Sequence, residues 1–208
     1  MLSSFGKAHE QYDATSLLAV AVRTFNERGY DGTSMSDLAA AAGISKSSIY
    51  HHFTSKEQLL NLAVSRALDF LFHVLDEPAA LEGPAIARVI HVVRRTVEVL
   101  VAELPYVTLL LRVRGNTETE RWALQKRREF DRRVAAMVEQ AGQDGDLRSD
   151  LDPRLATRLL FGMVNSISEW YRSELDQDPA VVADAATRLA FGGIRRQLQT
   201  EDPTAGRR

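Results

Sequence analysis

Cysteine is absent from the 208 residues. That excludes disulfides, thiolate metal sites and a cysteine nucleophile, and it agrees with a reducing, cytoplasmic setting. Long apolar runs are absent as well. The richest stretches are interrupted by charge, as in Val97-Glu98-Val99-Leu100-Val101, and none approaches the ~20 apolar residues of a membrane span. Met1 to Tyr12 is polar and has no apolar centre of the kind that secretion signals carry. A soluble protein with no membrane partner is expected. An excess of positive charge is missing too: 26 Lys and Arg stand against 28 Asp and Glu, a formal net charge of −2. A strongly basic nucleic-acid binder has a different balance, so affinity for a polyanion would have to come from locally placed groups.

Catalytic signatures are also lacking. The five histidines are His9, His51, His52, His73 and His91, and no pair lies at metal spacing with a third ligand in reach. His51 and His52 are adjacent, which sends them to different faces of a helix. There is no Gly-rich phosphate loop and no G-x-S-x-G. The expectation is a protein that is not an enzyme and needs no metal or cofactor. No stretch alternates apolar and polar residues long enough to make a strand, so the fold class expected is all-α.

What is present is an ordinary globular balance, 45% apolar and 26% charged, organised as helices. Asp13 to Arg28 places Leu17, Leu18, Ala21, Val22 and Phe25 on one face, and Gly29 stops it. Short helices follow over 34–42 and 45–53. Ser55-Lys56-Glu57-Gln58 reads as a capping box opening a long helix to about Leu75. Glu77-Pro78 breaks that helix, Gly83-Pro84 starts another to about Leu104, Pro105 restarts a short piece to about Arg114, and a long helix spans 117–141. Asp152-Pro153 and Asp178-Pro179 each place Asp at N-cap and Pro at N1, opening helices that run to about Glu174 and Gln199. About nine helices are expected. The domains expected are a head over 11–71, a body over 72–200 and a flexible tail over 201–208.

The informative segment runs from Ser34 to Phe53. Ser34 and Asp37 form an S-x-x-D cap. Met35, Leu38, Ala39 and Ala42 share a face, Gly43 permits a tight turn, Ser45 caps a second helix, and Ile44 and Ile49 plug the angle. Small–glycine–apolar at Ala39, Gly43 and Ile49 is the steric skeleton of a helix-turn-helix, although a plain helical hairpin has similar spacing. With Ile49 and Phe53 turned inward, the opposite face carries Lys46, Ser47, Ser48, Tyr50, His51 and His52 and no acid. Hydroxyls, Lys and His are groups that reach phosphates and base edges of double-stranded DNA.

The stretches Phe25 to Ala39, Ala42 to Lys46 and Ile49 to Leu60 closely resemble the TetR family of repressors, over about the first 70 residues. The resemblance implies three N-terminal helices that bind DNA, with the remaining helices forming a ligand pocket and a homodimer interface. By motif position it implies phosphate contacts from Thr33, Ser36 and Lys56, and a recognition helix carrying Ser45, Lys46, Ser47, Ser48, Tyr50 and His51. Ser47 departs from the family pattern, where Gly is common.

The resemblance is looser in the body. Leu155, Leu159, Gly162, Met163, Ser166, Ile167 and Trp170 line one side of one late helix, and Val182, Ala186, Leu189, Ala190, Gly193, Ile194 and Leu198 one side of the last. By analogy these pair with their copies in a dimer; otherwise they form an internal hairpin. Candidate ligand-binding residues are Phe70, Val97, Tyr106, Leu110, Arg112, Arg127, Phe130, Asn165 and Trp170. From Arg112 to Arg133 there are eight basic residues against four acids, either a solvated face with i,i+4 pairs or an anion site at a pocket mouth. The stretch from Leu151 to Arg172 is similar to regulators that sense acyl-CoA thioesters, which makes a small hydrophobic or acyl-CoA effector the expectation. Alternatives are a regulator of drug efflux that senses a hydrophobic drug, and an architectural DNA binder without a ligand.

Overall fold

The computed structural model describes residues 13–148, 150–172 and 178–194. Among these the chain forms no β-strand and ten helices: α1 (Ala14–Arg28), α2 (Met35–Ala41), α3 (Lys46–His52), α4 (Lys56–Asp76), α5 (Pro78–Leu81), α6 (Ala85–Ala102), α7 (Leu104–Arg112), α8 (Glu118–Gln143), α9 (Pro153–Trp170) and α10 (Pro179–Ile194). The all-helical class is the one expected. The helix beyond the expected count is α5, a single turn where only a break was read. Pro78 does end α4, but its fixed φ also suits the first helical position, so it begins a new turn at once. Helix α9 ends at Trp170, where Tyr171 turns extended, short of the expected end at Glu174; the expected end at Gln199 and the tail 201–208 lie outside the described residues.

Side-chain caps set most of the helix starts. Asp13 Oδ1 accepts the Ser16 amide at 2.7 Å, and Asp152 Oδ1 accepts that of Leu155 at 2.8 Å. At α4 the cap differs from the reciprocal box. Ser55 Oγ accepts the Gln58 amide at 3.1 Å, but Gln58 Oε1 reaches past Ser55 to the Thr54 amide at 2.7 Å.

The chain divides into two compact units, one of residues up to 67 with 105–121, the other of 68–104 with residues from 122 onward. Helices α4 and α8 each run through both. In the first unit α1 packs on α2 and α2 on α3, around Leu17, Val22, Phe25, Leu38, Ile49 and Leu60, all buried. Gly29 ends α1 at φ 81°, a backbone region that disfavours a side chain.

In the second unit α6 packs against α5, α9 and α10. It is covered accordingly: Val89, Val92, Val93 and Val97 have no accessible surface. Phe130 of α8 meets Phe72 of α4 and Phe161 of α9 edge-on, at centroid separations of 6.0 and 5.5 Å, the geometry aromatic quadrupoles prefer. The apolar side expected on α9 is divided. Ile167 is buried, while Leu155, Leu159, Gly162 and Ser166 face outward. The same holds for α10, where Val182 and Ala190 are buried and Val181 and Leu189 exposed. A helix apolar on two sides is one that needs cover on both.

The junction between α4 and α5 is held by charge. Glu77 accepts Arg95 Nε at 3.1 Å and lies 2.6 Å from His91 Nε2, with Arg95 also paired to Glu98. Partial burial raises the Glu77 carboxyl, but hydrogen bonds from His91 and Arg95 outweigh it and leave the group below its ordinary value of 4.5. A carboxylate depressed in the folded state stabilises fully above its unfolded value and loses that contribution as pH falls through the folded one. Stability should therefore decline below pH 4.5 in part through Glu77. Thermal unfolding across acid pH should show a shallower decline for Glu77→Gln than for the unaltered chain.

Candidate nucleic-acid interface

Helix α2 begins on a complete capping box. The Asp37 amide donates to Ser34 Oγ at 3.2 Å and the Ser34 amide to Asp37 Oδ2 at 2.8 Å. The Ser34 hydroxyl and amide hold the Asp37 carboxyl below its usual range. Between α2 and α3, Gly43 adopts φ 67° and the Ile44 amide bonds back to Ala39 O at 3.0 Å. Ala39 is 3% exposed, Ile49 2% and Phe53 3%, so the expected wedge is the packed one. With these inside, Lys46, Ser47, Tyr50, His51 and His52 are exposed and Ser48 is half-buried. Ser45 caps α3 through its hydroxyl, which accepts the Ser48 amide at 3.1 Å. The outer face of α3 thus presents donors and acceptors with no carboxylate among them.

The three residues outside α3 that the family resemblance implied as phosphate contacts fall differently. Ser36 is exposed at the start of α2. Thr33 is 2% exposed, and its hydroxyl donates inward to Gly29 O at 2.7 Å. Lys56 Nζ donates to Tyr30 O at 2.8 Å and sits 4.2 Å above the Tyr30 ring. One of its three N–H groups is therefore engaged within the head. Burial, and then the nearby acids Glu57, Glu120 and Asp31, push the Tyr30 phenol up to about 12. It stays neutral, and its ring remains a seat for the ammonium.

Sequence reasoning missed a second group of residues, those that fasten the segment 105–121 to α1 and α4 within the first unit. Asn26 Nδ2 donates to Pro105 O at 2.8 Å, and Arg112 donates to Asn26 O at 2.9 Å. Asn116 Nδ2 donates to Asp31 Oδ2 at 2.9 Å, and Glu57 Oε1 accepts both the hydroxyl and the amide of Thr119, at 3.1 and 3.3 Å. Glu120, 4% exposed, accepts the amides of Arg114, Asn116 and Thr117 at 3.2, 2.6 and 3.0 Å. One signal for this was available. Thr117-Glu118-Thr119-Glu120 is a T-x-x-E capping box, and the Glu120 amide does return to Thr117 Oγ1 at 3.2 Å. The pairings across 79 and more residues had none.

The candidate ligand residues separate between the units. Tyr106 and Leu110 are buried in the first, where exposed Arg112 also lies. In the second, Val97 and Phe130 are buried, Arg127 and Asn165 half-buried, and Phe70 and Trp170 exposed. Burial holds the Arg127 guanidinium below its ordinary range, with Asp131 opposing the shift. The Asp131 carboxyl is pushed up by the desolvation of its surroundings, although the residue itself is exposed, against the pull of Arg127 and Arg158. The run from Arg112 to Arg133 is thus not one patch within one unit.

Removing the Glu120 carboxylate leaves three amides without their acceptor, each costing on the order of 1 kcal/mol or more. Glu120→Ala should lower stability by about 3 kcal/mol, read as a fall in unfolding midpoint in urea. An unchanged midpoint would contradict this role.

Comparison with known proteins extends the geometry. Residues 17–63 match the family described as bacterial regulatory proteins, tetR family, and residues 82–194 match the tetracyclin repressor-like C-terminal domain. The transcriptional repressor KstR2 of Rhodococcus jostii (strain RHA1) is 33% identical over 161 residues, covering 76% of this chain and 79% of that protein. A TetR transcriptional regulator from Streptomyces coelicolor A3 has a crystal structure that is 61% identical, superposes with a TM-score of 0.82, and is matched over 92% of this chain and 98% of its own. The structure of AibR in complex with isovaleryl coenzyme A and operator DNA is 25% identical, with a TM-score of 0.71 over 85% of this chain and 96% of that one.

Proposed function

The chain belongs to the TetR family of bacterial transcription regulators, and from that membership we propose that it is a dimeric repressor released from a near-palindromic operator by an acyl-CoA thioester. DNA binding comes with the family.

The observation that carries the effector is the cluster around Asp131. Arg127 and Arg158 both pull on that one carboxylate. Arg127 is kept in a place where burial penalises its charge. Guanidinium groups hold an anion such as a CoA phosphate through paired N–H donors. The aromatic ladder of Phe72, Phe130 and Phe161 in the same unit offers apolar cover for an acyl chain. The structure of AibR in complex with isovaleryl coenzyme A and operator DNA supports the same class of ligand here.

The dimer reading is supported by α9 and α10. Leu155 is 51% exposed, Leu159 63% and Leu189 73%, beside exposed Gly162, Ser166 and Gly192. Large apolar residues interleaved with small ones on an outer face fit a copy of the same face across a two-fold axis. Such a dimer presents two copies of α3 to successive major grooves. Helix α4 runs without interruption from the head into the second unit, and a ligand that repositions it alters the spacing of the two α3 helices. To empty the operator the ligand has to favour the released state by a few kcal/mol.

Titration calorimetry with isovaleryl-CoA, longer acyl-CoAs, free CoA and a hydrophobic cationic dye tests the effector. Acyl-CoA binding should weaken about tenfold in Arg127→Ala, the loss of one charge-assisted contact. Binding of the dye alone would favour a drug sensor, and binding of nothing an architectural role. For the dimer, light scattering on Leu159→Lys with Leu189→Lys should show a monomer that no longer retards operator DNA. At the interface itself, Lys46→Ala should weaken binding evenly across sequences and lower the slope of affinity against salt by about one ion.

A further inference from the structure

The start of α3 holds three serine hydroxyls in mutual contact. Ser45 Oγ lies 2.8 Å from Ser47 Oγ and 2.8 Å from Ser48 Oγ, and accepts the Ser48 amide at 3.1 Å. In both hydroxyl pairs either oxygen can be the donor.

Counting protons limits the possibilities. A hydroxyl has one proton and two lone pairs. The Ser48 amide occupies one lone pair of Ser45. One proton and one lone pair remain for two neighbouring hydroxyls. One neighbour therefore receives the Ser45 proton, and the other donates its own to Ser45. The hydroxyl that donates inward shows only lone pairs to the outside. The hydroxyl that receives keeps its own proton free to donate outward. Ser47 and Ser48 together have one proton to donate outward, although either can still accept, and rotation of three O–H bonds passes that proton from one to the other with no heavy atom moving.

We infer that Ser45 joins Ser47 and Ser48 into a single conditional reader of DNA, in which an acceptor met by one hydroxyl obliges the other to meet a donor. The major groove supplies both kinds of partner: guanine O6 and N7 and thymine O4 accept, whereas adenine N6 and cytosine N4 donate. If one serine meets an acceptor, a phosphate oxygen included, the other is left to select a donor. Base preference at the two positions is then coupled rather than additive. Ser47 is what creates the coupling, because a glycine there would leave Ser48 and Ser45 free to adopt either polarity. The inference rests on the reading that α3 enters the major groove. Ser45 acts in it as a positioning residue, through the two others.

The test uses the full-length protein. An operator is first selected from random duplexes and footprinted, and affinities are then measured for every base combination at neighbouring pairs beneath α3. In the unaltered protein one neighbouring pair should depart from the product of its single-base effects by about fivefold, the worth of one hydrogen bond, with combinations of two base acceptors disfavoured. Ser47→Ala and Ser48→Ala should each restore additivity, while Ser47→Thr, which keeps the hydroxyl, should retain the coupling. Ser45→Asp still caps α3 but has no proton to give. Both serines then donate inward, and the favoured combination should shift towards two base donors, whatever the loss of overall affinity. Additive preferences in the unaltered protein, or coupling that survives Ser47→Ala, would overturn the inference. Selection of no duplex, or protection that leaves the bases beneath α3 untouched, would instead overturn the reading it rests on, and this inference with it.

Discussion

A helix of seven residues does not hold itself in water, and α3 has seven. Everything in the first unit answers to that constraint. Ile49 and Phe53 give α3 an inner face to bury, Ala39 lets α2 approach it, and Gly43 turns the chain sharply enough for the two to cross. Ser45 closes its N-terminal end. The outer face is then free to carry groups that contribute nothing to the fold. A helix stabilised from one side only can spend its other side on recognition, which is why Lys46, Ser47, Tyr50 and His51 stand in solvent.

Net acidity of the chain is compatible with this because four acids near the head are committed elsewhere. Asp37 serves the Ser34 cap, Glu57 holds Thr119, Asp31 holds Asn116, and Glu120 is closed around three backbone amides. Each is a carboxylate used as a structural acceptor. The charge a polyanion meets at α3 is set by placement, and total charge is a poor guide to it.

What the sequence disclosed, and what it did not, follows range. Caps, prolines and helical periods are encoded within a few residues, so α1 to α4, α6 and the starts of α9 and α10 were legible, as were the wedge residues Ala39, Gly43 and Ile49. The turn α5 was hidden because Pro78 is read as a stop before it is read as a start. Lys56 was legible as a cation but not as the partner of the Tyr30 carbonyl, since nothing local joins positions 26 residues apart. For the same reason Asn26 looked like one more polar residue at the end of α1. In the body, periodicity marked α9 and α10 as apolar but could not tell the buried Ile167 from the exposed Leu159, because a helix covered on two sides has no single polar face to orient it.

The ties from Asn26, Asp31 and Glu57 to the segment 105–121 also bear on how such proteins can be recombined. A boundary drawn by chain order puts the head before the body, but in this chain the head's own unit includes a helix contributed from much later. A chimera that joins this head to another regulator's sensor at α4 would sever those ties unless residues 105–121 travelled with it. The portable cassette is therefore discontinuous in the chain, two strings of residues that have to be transplanted as a pair.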